Sequence, residues 1–251
     1  ARELTGAEAS GDLAQVIASH RVIGIRNGLS DRISPVVDPW IIRAYDRNSL
    51  ENKSENKLAL QQRHGLGVTD KAPMMGCVGR LLRRKGFSLL SDVLPEFLDR
   101  GCQLVVTGEG DWEIAAQLLQ LSLAYPAQVS LCPYAEEQEA AIYAGADFLL
   151  MPSLEEPCGT VQMRAMRYGT VPIVRATGGL RDTVAPYDET HPEGVGFVFL
   201  DYTPEAFLEA ISRAMEMYAD KSAFRALQQR CMDQDSSWDQ PVREYLELYR
   251  G

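Results

Sequence analysis

The sequence is short of positive charge. Its 25 Lys and Arg face 35 Asp and Glu, for a net charge of -10. An acidic chain repels nucleic acid and anionic membranes, which argues against both as partners. Long apolar runs are missing too, and none approaches the ~18 residues of a membrane helix. No signal-peptide pattern opens the chain, which begins at Ala1 and reads as a fragment or a processed form. The five cysteines are scattered and form no CxxC pair. They read as buried or incidental thiols of a reducing compartment. Three histidines lie far apart, without metal-ligand spacing, so no zinc site is expected. Repeats and low-complexity tracts are absent. Gly108-Glu109-Gly110 is not extended into a GxGxxG fingerprint, which argues against a nicotinamide dehydrogenase.

What is present is a regular alternation. The chain is 251 residues long and 45% hydrophobic, enough for one large domain with extensions. Short apolar runs at 74–78, 103–107, 129–131, 148–151, 171–175 and 196–200 read as strands. Helical patterns cover 88–100, 111–124, 136–144, 160–168, 204–218, 221–231 and 240–249. Pro95 is expected to kink or split the first of these. Asp111 is a natural N-cap, and Gly145 a natural residue just past a helix end. Residues 46–62 read as helical, and 21–25 as an isolated strand. Continuous apolar strands alternating with helices indicate a Rossmann-like α/β domain, a parallel sheet with helices on both faces. Ligands of such sheets bind beyond the strands' carboxyl ends, so the strand-to-helix loops are the places to search.

Three loops carry usable chemistry. The first, Gly79-Arg80-Leu81-Leu82-Arg83-Arg84-Lys85-Gly86, packs four cations into six residues of an acidic chain. Arg80 and Lys85 are candidates for gripping a diphosphate, with a solvated basic loop as the alternative. The second, residues 153–160, leads into a helix whose first N–H groups belong to Gly159, Thr160 and Val161. A helix start attracts anions, and the carboxylate of Glu156 could accept hydrogen bonds from sugar hydroxyls. Acidic capping of a solvent-facing helix is the plainer reading. The third, Thr177-Gly178-Gly179-Leu180, allows close backbone approach to a ligand or forms an ordinary turn. Tyr134, just past a strand, is placed to stack on a nucleobase or to pack as a half-buried ring.

Taken together, these loops resemble bacterial glycogen synthases and plant starch synthases. The resemblance is densest from Glu156-Pro157-Cys158-Gly159-Thr160 through Tyr168-Gly169-Thr170, and continues through Pro172, Gly178-Gly179 and Asp182-Thr183-Val184. Gly79-Arg80-Leu81 with Lys85-Gly86 resembles the family's donor-phosphate loop. Ile142–Asp147, Met151-Pro152-Ser153, Asn27-Gly28 with Asp38-Pro39, and Ser237-Trp238 with Tyr245 and Tyr249 also fit. The chain departs from the family's pattern at three places. Leu29-Ser30 follow Asn27-Gly28 where Ile-Asp is usual, Leu154-Glu155 replace an Arg and an aromatic residue, and Thr160 replaces a Leu. An acidic Glu155 beside the donor site bears on donor affinity and nucleotide preference.

The resemblance implies the C-terminal half of a GT-B fold, in which two Rossmann-like domains face each other across a cleft. On that basis residues 1–40 connect from a missing N-terminal domain, 41–232 bind the nucleotide sugar, and 233–251 form a helix that packs back. The implied reaction is transfer of glucose from ADP-glucose to the non-reducing end of an α-1,4-glucan with retention of configuration. It implies no cofactor and no metal. Arg80 and Lys85 would bind the diphosphate, and Glu156 the glucose hydroxyls. Gly159 and Thr160 would present N–H groups to phosphate, and Tyr134 would stack on adenine. Gly178 and Gly179 would lie close to the donor, and Asn27 would line the cleft. Two alternatives stay open: a GT-B enzyme for another nucleotide sugar or acceptor, and a non-catalytic nucleotide- or glucan-binding regulator. The expected compartment is the cytoplasm of a bacterium or the plastid stroma of a plant or alga.

Overall fold

The computed structural model describes residues 22–250. Among these, six parallel strands form one sheet: β1 (Met74–Val78), β2 (Gln103–Thr107), β3 (Val129–Cys132), β4 (Phe148–Met151), β5 (Val171–Arg175) and β6 (Phe197–Phe199). Their order is β3-β2-β1-β4-β5-β6. The helices are α1 (Lys53–Arg63), α2 (Phe87–Asp99), α3 (Trp112–Ala124), α4 (Glu136–Gly145), α5 (Val161–Arg167), α6 (Gly178–Thr183), α7 (Pro204–Ala219), α8 (Lys221–Met232) and α9 (Asp239–Arg250).

Every residue of β1, β2 and β4 is buried, because both faces of the sheet are covered. Successive side chains point to opposite faces. Met75, Cys77, Leu104, Val106, Phe148 and Leu150 join one core with α2, α3, α7 and α8. Met74, Val78, Val105, Leu149 and Met151 join the other with α1, α4 and α6. Burying each large apolar side chain stabilises the fold by about 1.5–3 kcal/mol. Helix starts are fixed locally. Asp111 accepts from Glu113 N, Thr203 from Ala206 N, and Asp220 from Ser222 N and Ala223 N.

Four local expectations fail. Residues 22–25 form no strand, and Arg21 lies outside the described residues. Pro95 does not split α2: it lies on the exposed side of the helix, while Leu90, Val93, Leu94 and Phe97 hold the helix on the core. Gly145 is the last residue of α4 and Ala146 leaves it extended. Glycine serves there for close packing, since a Cβ would sit 2.9 Å from the Asn56 carbonyl oxygen of α1. Gly178 and Gly179, for which an ordinary turn is one of two readings, instead begin α6.

The end of the sheet away from the strands' carboxyl ends is tied by buried lysines. Lys57 Nζ lies 2.7 Å from Asp147 Oδ2 and 2.8 Å from the Tyr218 hydroxyl, and Asp147 also accepts from Met74 N at 2.8 Å. Lys53 donates to the carbonyls of Tyr143, Ala144 and Tyr168 at 2.8–3.0 Å and reaches Thr170 Oγ1 at 2.7 Å. These contacts pin α1 under the sheet.

The strand order reverses between β1 and β4: β1 pairs with β2 on one side and with β4 on the other. That reversal opens a crevice beyond the carboxyl ends of β1 and β4, the expected ligand position in an open α/β sheet.

Candidate active site

Two loops flank the crevice, and their backbones are locked together. The loop after β1 is strapped to the loop after β2 by Leu81 N to the Glu109 carbonyl at 2.9 Å and Asp111 N to the Leu81 carbonyl at 2.8 Å. Leu81 is only 1% exposed and anchors the strap in the core. Residues Arg83–Lys85 make a single tight turn ending at Gly86, whose φ of 79° is left-handed. A Cβ at Gly86 would lie 1.9 Å from the Pro152 carbonyl oxygen, so both conformation and space require glycine. The Arg84 carbonyl then accepts from Leu154 N at 2.8 Å and Glu155 N at 3.2 Å.

This locking sorts the four cations. Arg83 pairs with Glu113 at 3.4 Å on the exposed surface, where such a pair contributes little. Arg80 and Arg84 are exposed. Lys85 alone turns inward and donates to the carboxylate of Glu156. The Glu156 side chain is 7% exposed and the Lys85 side chain 24%. The Ser153 hydroxyl reaches the same carboxylate oxygen at 3.4 Å. Behind Lys85, burial pushes the Cys77 thiol up to about 12, with the nearby ammonium pulling the other way.

The loop after β5 closes the third side. Gly179 N donates to the Glu156 carbonyl at 2.8 Å, and a Cβ on Gly179 would lie 1.7 Å from the Cys158 carbonyl oxygen. Gly159 has a left-handed φ of 66°. Its carbonyl accepts from Gln162 Nε2 at 2.9 Å, and the same nitrogen lies 2.8 Å from Thr183 Oγ1. Gln162 thus joins the start of α5 to α6. Thr160 is the N-cap residue of α5 but makes no side-chain cap. Asn27 Nδ2 lies 3.2 Å from Cys158 Sγ. A cavity of about 330 Å³ lies between them, lined by Arg26, Asn27, Gly159, Met163 and Gly179 among others.

Glu156, Lys85, Gly159, Gly179 and Asn27 therefore gather in one region, with Arg80, Thr160 and Gly178 on its loops. Tyr134 stands apart. Its hydroxyl donates to Glu139 Oε2 at 3.0 Å, and its ring lines a different groove with Trp40 and Arg164.

Sequence reasoning missed Ser153, Gln162 and Arg175. Arg175 Nη1 donates to the Leu154 carbonyl at 2.9 Å and stiffens the second loop. A charged residue closing an otherwise apolar strand was the available signal. Nothing in the local pattern marks Gln162, whose partners lie on another helix.

The sequence profile described as "Glycosyl transferases group 1" matches residues 60–229. The chain belongs to that family. It is 44% identical over 235 residues to a glycogen synthase of Caldicellulosiruptor bescii, covering 92% of this chain and 49% of that one. It is 41% identical over 246 residues to a glycogen synthase of Exiguobacterium sibiricum, covering 96% and 51%. The chain thus spans about half the length of the curated relatives it matches. Among solved structures it superimposes on the catalytic domain of starch synthase IV from Arabidopsis thaliana, bound to ADP and acarbose. The TM-score is 0.93 and the identity 33%, over 99% of this chain and 53% of that one. Sucrose-phosphate synthase from Thermosynechococcus elongatus shares the fold at a TM-score of 0.66 and 23% identity. The sheet and its helices are one half of the GT-B architecture.

Proposed function

We propose that this chain is the donor-binding half of a retaining glucosyltransferase that moves glucose from ADP-glucose to the 4-hydroxyl at the non-reducing end of an α-1,4-glucan. The observation that carries the reading is the Lys85–Glu156 pair at the sheet's switch point, closed in by the Gly159 and Gly179 backbones. A lysine and a carboxylate side by side suit a ligand with an anionic end and a hydroxyl-rich end. The ADP in the similar starch synthase IV structure supports adenine over uracil as the base of the donor.

In this reading the Lys85 ammonium, with Arg80, meets the diphosphate and stabilises the charge that develops on the departing ADP. Glu156 accepts hydrogen bonds from glucose hydroxyls and, relieved of Lys85, orients the ring. Gly159, Thr160, Gly178 and Gly179 offer backbone groups where side chains would block approach. Tyr134, past the end of β3, covers adenine, and Asn27 lines the cleft. No step needs a cofactor.

The acceptor side belongs to the other half of the protein. Helix α9 presents Val242, Tyr245, Leu246 and Tyr249 at 36–80% exposure. We assign that face to contact with the other domain, whose closure excludes water during transfer.

The test is glucosyl transfer to glycogen by the full-length protein, with ADP-glucose and UDP-glucose in parallel. Preference for ADP-glucose, lost in Glu156→Ala, is the expected result. Transfer from UDP-glucose alone would reassign the donor, and no transfer from either would leave a binding module.

A further inference from the structure

We infer that Gln162 is a positioning residue: its carboxamide locks the Gly159–Thr160 peptide with the N–H aimed at the donor's diphosphate. The inference rests on the donor site proposed above and names the side chain that orients its backbone.

The amide is buried and half committed. Gln162 is 0% exposed, and its Nε2 donates to the Gly159 carbonyl at 2.9 Å and to Thr183 Oγ1 at 2.8 Å. Thr183 Oγ1 in turn donates to the Gly179 carbonyl at 2.6 Å. Gln162 Oε1, by contrast, is buried with no hydrogen-bond partner. A buried acceptor left unpaired is costly, and native structures keep few of them. An apolar side chain of equal length would fill the same space without that cost. What the amide supplies in return is its pair of donated bonds.

The bond to Gly159 has a directional consequence. No described peptide is cis, and across a trans peptide the carbonyl and the following N–H point in opposite directions. Holding the Gly159 carbonyl toward buried Gln162 therefore turns the Thr160 N–H away from it. Among the described residues that N–H meets no backbone acceptor. Gly159 and Gly179 line the cavity of about 330 Å³, and Gln162 does not. Gly159, at a left-handed φ of 66°, has no side chain of its own to hold this peptide in one orientation. A reversed peptide would present a carbonyl oxygen to phosphate and repel it. Gln162 prevents the reversal, packed so closely that a Cβ on Gly159 would lie 2.7 Å from Oε1.

The experiment is calorimetric titration of this chain with ADP, beside urea denaturation, for wild type, Gln162→Met and Thr183→Val. Gln162→Met removes the two bonds and the unpaired acceptor together, so its urea midpoint should stay near wild type while ADP affinity falls about tenfold. Thr183→Val leaves the bond to Gly159 in place, so its ADP affinity should change by less than about twofold. In the full-length protein Gln162→Met should raise the KM for ADP-glucose and leave the KM for glycogen unchanged. Should Gln162→Met fail to fold, Gln162→Leu is the second apolar variant and should lose ADP affinity likewise. Full ADP affinity in a folded Gln162 variant would overturn the proposal. So would an equal loss in Thr183→Val, the result expected of a side chain that only ties α5 to α6. No ADP binding by the wild-type chain would overturn the donor site itself, so the two readings fail separately.

Discussion

The Lys85 ammonium donates to the Glu156 carboxylate across 71 residues of sequence, joining the loops after β1 and β4. Each charge compensates the other. A diphosphate must therefore draw Lys85 away from a partner it already has. Glu156→Gln removes the competing negative charge. Calorimetry should show ADP binding retained or tightened in this variant, while the full-length protein loses transfer. Loss of ADP binding in a folded Glu156→Gln would contradict this division of labour.

Gly179 is the tightest point of the site, with its absent Cβ 1.7 Å from the Cys158 carbonyl oxygen. Gly179→Ala must push the loops after β4 and β5 apart and break the bond from Gly179 N to the Glu156 carbonyl. ADP affinity should fall at least about tenfold, the equivalent of 1.4 kcal/mol. Gly67→Ala is the control: its Cβ would come no closer than 3.4 Å to the end of the Gln103 side chain, and its ADP affinity should be unchanged.

The thiols should differ sharply in reactivity. Burial pushes Cys77, Cys102 and Cys231 up to about 12 and raises Cys132. At pH 8 a thiol near 12 is ionised in roughly one molecule in 10⁴, and only the thiolate reacts. Cys158 is the exposed one. A thiol-exchange assay on the native chain should give one fast equivalent, absent in Cys158→Ser. Several fast equivalents in the folded protein would contradict the burial.

At the other end of the sheet, Asp147 accepts from both Lys57 Nζ and Met74 N. Asp147→Ala strands a lysine whose side chain is 6% exposed. Breaking a buried pair by removing one partner costs about 3–5 kcal/mol. Urea denaturation should show a loss of that size, and the fraction still folded should bind ADP normally because the crevice lies at the opposite end of the strands.

The strands were legible because residues such as Met74–Val78 are continuous apolar runs, which only a sheet covered on both faces accommodates. The loop chemistry was legible because four cations stand out in an acidic chain. Which cation faces inward was not. Lys85 turns in because Gly86 adopts a left-handed conformation against the Pro152 carbonyl, a contact between loops that no local pattern reports. Pro95 misled for a related reason: its cost depends on whether it faces solvent, which tertiary packing decides. Gln162 and Ser153 escaped because their partners are set by the packing of α5 and α6 and by the fold of the loop itself.

The central claim is that Lys85 holds the nucleotide's diphosphate, and calorimetric titration of this chain with ADP tests it most directly, wild type against Lys85→Ala. The account predicts measurable binding by the wild type and a loss of about 1.5–3 kcal/mol in the variant, the worth of a charge-assisted hydrogen bond. Equal affinity in the two proteins, with both fully folded, would contradict it.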